Sequence, residues 1–287
     1  MLLTGILLLQ IGCNGNTDGR EYTGTVEGTS VMVPALTGGE ILRFYIQTGE
    51  TVSRGQLLAA VDSTELVLQR EQLMAALEDI NIQNNIAQAN LARANDDYNY
   101  LKTTHGRIAS LYKSQSVTKQ QLDDVNNNLQ KAGIALANSR QSLQSIAANR
   151  KRLDAQIKSV AKKINDAQIH APVEGIITDT FYEEGEAVPQ FAPVLEIINL
   201  KKPEVKIYIS QTLLSRIKYG QEVSVKADGQ DKNMTGTIMW ISPQAEFTPK
   251  TILTPDTRTS LVYAVKISIA NEQEILKHGM PVVITLN

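Results

Sequence analysis

The chain is poor in the residue types from which most active and metal sites are built. Of its 287 residues one is cysteine (Cys13) and three are histidine (His105, His170, His278), and aromatic residues make up 5%. A lone cysteine excludes an intramolecular disulfide and a Cys-rich metal site. The histidines lie far apart and form no H-x-x-x-H pair, and neither a G-x-S-x-G elbow nor a phosphate-binding P-loop occurs. An excess of one charge is also missing. Lys and Arg number 28 against 30 Asp and Glu, a formal charge of -2, which leaves no concentrated basic face for nucleic acid. A hydrophobic fraction of 42% sets the chain apart from disordered sequences. These absences give the expectation of a protein that is not an enzyme, with no cofactor, no metal and no nucleic-acid partner.

No apolar run reaches the roughly 20 residues a membrane-spanning helix needs. What stands at the start is shorter: MLLTGILLLQIG, ending in the small residue Gly12, then Cys13 and the polar stretch NGNTDGRE. This resembles a bacterial lipoprotein signal, in which the cysteine is acylated and becomes the new N-terminus. Two features depart from that pattern: no Lys or Arg precedes the run, and Gln10 stands three places before the cysteine, with Leu9 one place earlier. A buried strand with a core cysteine is the competing reading. The linker composition of GNTDG favours the lipid signal. Residues 1–21 are thus read as signal and linker.

A repeat follows. Gly39, Gly49, Glu50, Val52 and Val61 recur at identical spacing as Gly175, Gly185, Glu186, Val188 and Ile197, each copy preceded by an x-Pro pair. Within each copy, β-branched stretches are punctuated by Gly-Glu turns, the signature of short strands. One unit of about 30 residues has too little core to stand alone, so the two copies are expected to pack face to face.

The region between the copies has no proline from Ala35 to Ala171, and from Gln56 onward only Gly106 and Gly133. Its apolar positions step by seven. The outgoing row is Leu66, Leu73, Ile80, Ala87, Ala94, Leu101 and Ile108. The returning rows are Leu122, Leu129, Leu136, Leu143, Ile157 and Ile164, interrupted by Arg150, and Val125, Ala132, Ile146, Leu153, Val160 and Ala167, with Ser139 in the gap. Such spacing is a coiled-coil seam. A break near Ser114–Ser116 predicts an antiparallel hairpin reaching roughly 70 Å. Small residues in the seam imply close helix approach; no ligand-type residues accompany them to suggest a cofactor channel.

After Leu200, segments such as PEVKIYIS, QEVSVKA, TGTIMWISP, LVYAVKISI and MPVVITL alternate apolar and polar residues, and Tyr22–Val31 has the same texture. These read as a small antiparallel β-barrel, with a short helix at Leu213–Lys218. The resulting fold class is α+β and elongated. A lipoyl-like domain of 31–62 plus 168–199 is split by a helical hairpin of 63–167 with its tip near 112–119. A barrel of 22–30 plus 200–287 completes it.

The arrangement resembles the HlyD-like membrane fusion family, the periplasmic adaptors of Gram-negative efflux and secretion machines. The resemblance covers nearly all of Tyr22–Asn287 and is most specific at the I-x-A-P-x-x-G-x-I run of Ile169–Ile177 and at the hairpin tip. The run EFTPKTILTPDTRTSLVYAVKI is similar to the barrel of small adaptors that accompany ABC-type pumps, and the family's further membrane-proximal domain is not expected. In family members that dock on TolC-like channels, the tip carries an Arg, a Leu four residues on and a Ser seven beyond. Here Arg107, Leu111 and Thr118 hold those spacings, with Asp123 where an acidic residue often follows. Alone, Arg107 is an ordinary solvated residue and Leu111 an ordinary seam residue. Together, beside the turn, they point to docking. The resemblance implies an inner-membrane transporter (ABC-type favoured over a proton-driven, RND-type pump), a TolC-like outer-membrane channel, and a self-associated, six-membered ring. It also implies a periplasmic protein anchored by lipid at Cys13.

Two other functions fit less well. A lipoate or biotin carrier needs a lysine on the tight hairpin between the halves, in M-K-M or D-K-A; neither tripeptide occurs, and the coiled coil stands in that place. A purely structural coiled-coil protein leaves the repeat and barrel unexplained. The signal reading predicts that intact-mass analysis of the mature chain finds acyl chains on Cys13, and that Cys13→Ser abolishes them; an unmodified mature Cys13 refutes it.

Overall fold

The computed structural model describes residues 20–230, 233–247 and 261–286; Cys13 with its apolar run, and most of the run from Glu246 to Ser260, lie outside the described residues. In chain order, β1 (Arg20–Pro34), β2 (Gly39–Phe44), β3 (Thr51–Val52) and β4 (Leu57–Val61) lead into α1 (Thr64–Lys113) and α2 (Lys119–Asp166). Then follow β5 (Gln168–His170), β6 (Gly175–Thr180), β7 (Ala187–Val188) and β8 (Pro193–Ser210). Last come α3 (Gln211–Leu214), β9 (Glu222–Ala227), β10 (Met234–Ile241), β11 (Glu246–Phe247), β12 (Leu261–Ile269) and β13 (Pro281–Leu286).

The two repeat copies build one sandwich. Its layers run β5-β4-β2-β7 and β1-β8-β6-β3, and exchanging each strand with its counterpart in the other copy turns one order into the other. The Gly-Glu turns explain why. Gly49 and Gly185 both sit at φ 89°, where a side chain is strained. Glu50 closes its turn by accepting from the Gln47 amide at 3.0 Å, and Glu186 does the same for Glu183 at 2.9 Å. Each turn then bonds to the opposite copy: Gly49 N donates to Ile177 O and Gly185 N to Ile41 O, both at 2.8 Å. Ile41, Leu58, Ile177, Leu195 and Ile197 fill the shared core.

The twofold relation breaks at one backbone position. Gly55 sits at φ 84° and donates to Ala171 O; its counterpart, donating to Ala35 O, is Phe191 at φ 66°. Phe191 is 67% exposed, so no burial offsets its strained backbone.

The second β-domain is a closed barrel. β1, β13, β9, β10, β12 and β8 pair in turn and β8 returns to β1, so none of these strands is left as an edge. The inward residues, Val205, Ile207, Val225, Ile238, Ile267 and Ile284 among them, alternate with outward ones along each strand. The short helix is Gln211–Leu214, not Leu213–Lys218. It starts where β8 ends at an extended Ser210, and it cannot continue because the Gln221 side chain takes the Lys218 amide at 3.0 Å for the next turn.

β1 and β8 run through both β-domains. Between Glu27 and Thr29 their register slips, leaving Gly28 opposite Leu200–Pro203. A Cβ on Gly28 would lie 2.9 Å from Asn199 O, so the chains approach more closely than a side chain allows. Asn271, only 2% exposed, secures the slip: its side chain donates to Leu200 O at 2.8 Å and Leu276 O at 3.0 Å and accepts from Leu276 N. Its own amide donates to Lys201 O at 3.0 Å.

Phe191→Gly is expected to stabilise the sandwich by about 1 kcal/mol through relief of the left-handed backbone, whereas Gly55→Ala should destabilise it by a similar amount. Urea midpoints with unchanged m-values check both. A loss of stability in Phe191→Gly would mean that the ring makes a contact worth more than the strain.

Candidate functional site

The hairpin is rooted on one sandwich layer, where the paired neighbours β4 and β5 lead into α1 and out of α2. Val61 N donates to Ala167 O at 2.8 Å, holding the outgoing and returning chains side by side. At the start of α1, Asp62 accepts from the Thr64 hydroxyl at 2.6 Å and the Thr64 amide at 2.9 Å. The hydroxyl bond first, and the amide bond second, hold its carboxyl below the usual carboxylate range. Thr37 adds a bond to Lys163 O at 3.2 Å from the β2 side.

Along α1 the sheltered positions alternate by four and three, and they include Arg70, Asn84 and His105 among the apolar residues. On α2 both returning rows are sheltered except Arg150, which is exposed. Only Ala87, Leu136, Leu153 and Val160 are fully buried, as expected for two helices with one shared face. Small seam residues leave room beside them. Two clefts of about 710 and 410 Å³ open on one flank, sharing Asn90 and Ser139. No group of three or more His, Cys, Asp and Glu that could hold a metal occurs among the described residues. Nor, among them, is any helix long and apolar enough to cross a membrane.

The tip is built from two complementary caps. At the end of α1, Ser116 N donates to Leu111 O and Gln115 N to Tyr112 O, both at 2.9 Å, with Gln115 at φ 60°. That pair of bonds closes a helix through a left-handed residue. Ser114 and Ser116 hydroxyls meet at 3.1 Å within the turn. At the start of α2, Thr118 Oγ1 accepts from Gln121 N at 3.3 Å while Gln121 Oε1 accepts from Thr118 N at 2.9 Å, a reciprocal capping box. Gln121 was not among the residues singled out from the sequence, although T-x-x-Q is a readable cap signal.

Of the three tip residues, Arg107 and Leu111 lie one turn apart on the same face of α1. Arg107 is exposed and its guanidinium bonds only the neighbouring Thr104 hydroxyl, at 3.5 Å. Leu111 is 43% exposed. Thr118 lies across the turn with its hydroxyl committed to the cap. The geometry therefore offers an exposed guanidinium with donors to spare and an exposed aliphatic side chain at a capped end. Their stripe runs back through Thr104, Tyr100 and Asp97 to the clefts. Cys13 lies outside the described residues.

Residues 29–199 match the family of CzcB-like barrel-sandwich hybrid domains, and the chain belongs to that family. It is 27% identical to a UPF0194 membrane protein of Enterobacter sp. (strain 638), over 100% of this chain and 96% of the relative. It is 29% identical to a UPF0194 membrane protein of Acidithiobacillus ferridurans, over 91% of this chain and 85% of the relative. Among solved structures, MacA from Actinobacillus actinomycetemcomitans superposes with a TM-score of 0.68 at 23% identity, over 94% of this chain and 78% of that one. A MacA–MexA chimera carrying the Pseudomonas aeruginosa MexA α-hairpin superposes at 0.51 and 21% identity, over 93% of this chain and 78% of the chimera. The fold is that of the membrane fusion proteins: a split sandwich, a helical hairpin and a barrel.

Thr118→Ala should cost about 1 kcal/mol, concentrated at the tip, because it removes the acceptor for Gln121 N. Hydrogen exchange in the first turn of α2 should speed up while the sandwich amides stay protected. Unchanged exchange there would show that the cap does not hold the turn.

Proposed function

We propose that the chain is a periplasmic adaptor that joins an inner-membrane export pump of the ABC type to a TolC-like outer-membrane channel. The observation that carries this reading is the hairpin. Two helices of 50 and 48 residues span roughly 75 Å and end in a doubly capped tip with Arg107 and Leu111 outward. An element this long with a single shared face gains little stability from its length. It makes sense as a reach between distant partners. The membrane fusion fold and the relatedness to curated membrane proteins support the same reading. The pump assignment rests on the Glu246–Ile267 run, which is similar to that of small adaptors of ABC-type pumps.

In this reading the work is mechanical. Copies of the chain form a ring, six by the family's precedent, with the β-domains on the pump and the hairpins gathered at the channel, and the pump supplies the energy. Arg107 serves specificity, since a guanidinium makes several directed bonds to carbonyls or carboxylates where a lysine makes a point contact. Leu111 supplies apolar contact, and Thr118 keeps the end rigid.

The test uses a cysteine introduced at Gln115 for crosslinking to the channel. Arg107→Asp with Leu111→Ser should abolish both crosslinking and export, while the unfolding free energy of Arg107→Asp alone changes by under about 0.5 kcal/mol. Crosslinking and export at wild-type levels in the double variant would show that the tip is only a turn.

A further inference from the structure

The end of the barrel away from the sandwich exposes several large apolar side chains, distinct from those of the hairpin tip. Several elements converge there. The antiparallel register that pairs Thr25 with Lys206 brings the start of β1 level with the end of β8, and Arg20 pairs with Leu286 at the same end. β12 begins there, with Val262 opposite Ser210. The turn after α3 is tied to β10 at that level, Gly220 N donating to Ile238 O at 2.9 Å and Ile238 N to Gln221 O at 3.0 Å. Tyr219 is 71% exposed, Met239 45%, Trp240 40% and Leu261 48%, although each sits beside a well-filled barrel core.

The backbone makes this exposure. The register passes from Ile238–Ile267 to Trp240–Lys266, so Met239 is an extra residue in β10. Such a bulge re-aims side chains, and here it leaves Met239 and Trp240 both outward where strict alternation would bury one. Arg216 and Lys218, both exposed, flank Tyr219.

We propose that Tyr219, Met239, Trp240 and Leu261, with Arg216 and Lys218, form a membrane-contact face that rests in the headgroup layer of a phospholipid bilayer. The inference rests on the anchored reading above. Cys13 precedes Arg20 by seven residues, which span about 25 Å at full extension. A lipid on Cys13 therefore keeps this end of the barrel within that distance of the bilayer. Tyr and Trp are the side chains that favour the interface, with an apolar body and a polar tip. Arg216 and Lys218 can extend to phosphates while their stems lie on apolar surface. Glu21 and Glu222 are exposed at the same end, so the face is not a basic patch. Aromatic and aliphatic burial supplies most of the affinity, and contact should persist at high salt.

Trp240 is the single tryptophan of the chain, so its emission reports this face alone. The full acylated chain is reconstituted with phosphatidylethanolamine–phosphatidylglycerol vesicles containing lipids brominated high in the acyl chain. Trp240 emission should shift to the blue and be quenched, at low and high salt alike. Tyr219→Ser with Met239→Ser should remove most of the quenching, as expected if lipid contact by the face weakens about tenfold. The variant should still co-sediment through its lipid and unfold normally, since both residues are exposed. Co-sedimentation of the wild type with unquenched Trp240 overturns the contact face and leaves the anchor standing. A wild-type chain that neither co-sediments nor is quenched overturns both.

Discussion

The amide of Gly49 reaches the carbonyl of Ile177, and the amide of Gly185 reaches the carbonyl of Ile41, each at 2.8 Å. This exchange of turn bonds between halves more than a hundred residues apart is the constraint on which the molecule depends. Neither half can bury Ile41 or Ile177 without the other, so the sandwich forms only when both ends of the intervening chain are brought together. The closure cost of a long insert grows slowly with its length, and it is smaller still when the insert brings its own ends together. An antiparallel helical hairpin does that. The result is visible at the root, where Val61 and Ala167 are hydrogen-bonded and both arms leave the sandwich at one place.

The same logic explains why the hairpin is long yet lightly packed. Its folding is assisted at the base by the sandwich and at the tip by two caps, so the seam does not have to be rich in large residues. Ala87, Ala94, Ala132 and Ser139 bring the helices close in mid-shaft and leave clefts on the flank. Arg70, Asn84 and His105 hold sheltered positions on α1, and polar groups at such positions favour one register over a slipped one. Register matters more here than raw stability. A slip of one heptad between the arms would displace the tip turn.

Much of this was legible in the sequence because it is local or periodic. The heptad rows place the sheltered face of both arms, the matched Gly-Glu spacing marks the two halves, and alternation marks the barrel strands. What was not legible depends on partners distant in sequence or on a single backbone angle. Phe191 looks like an ordinary loop residue until Gly55 is seen at the equivalent place with the same left-handed φ. Asn271 reads as a turn residue, and only the fold brings Leu200 and Lys201 to it. The short helix is displaced for the same kind of reason, since a glutamine three residues beyond Lys218 takes the amide a continued helix would need. At the tip, the spacing of Arg107, Leu111 and Thr118 does not show which of their side chains the turn itself uses. The hydroxyl of Thr118 is used internally, and only Arg107 and Leu111 remain turned outward.

The two β-domains are joined by strands that they share. β1 and β8 are single strands running from one core into the other, so a pull on the sandwich is transmitted to the barrel through covalent backbone. Their register shifts twice, at Val33–Pro34 within the sandwich and, between the two domains, where Gly28 faces Leu200–Pro203. Asn271 braces this second place from outside the ladder, its amide and side chain together holding Leu200, Lys201 and Leu276. Because Asn271 is buried, losing it would leave two carbonyls and an amide without partners in a dry environment, a larger loss than that of an exposed ladder bond. The junction is thus an extra stretch of β8 held by several polar side chains: Asn271, His278, whose Nδ1 accepts from the Gly28 amide at 3.3 Å, and Asn199, whose Oδ1 accepts from the Lys201 amide at 3.0 Å.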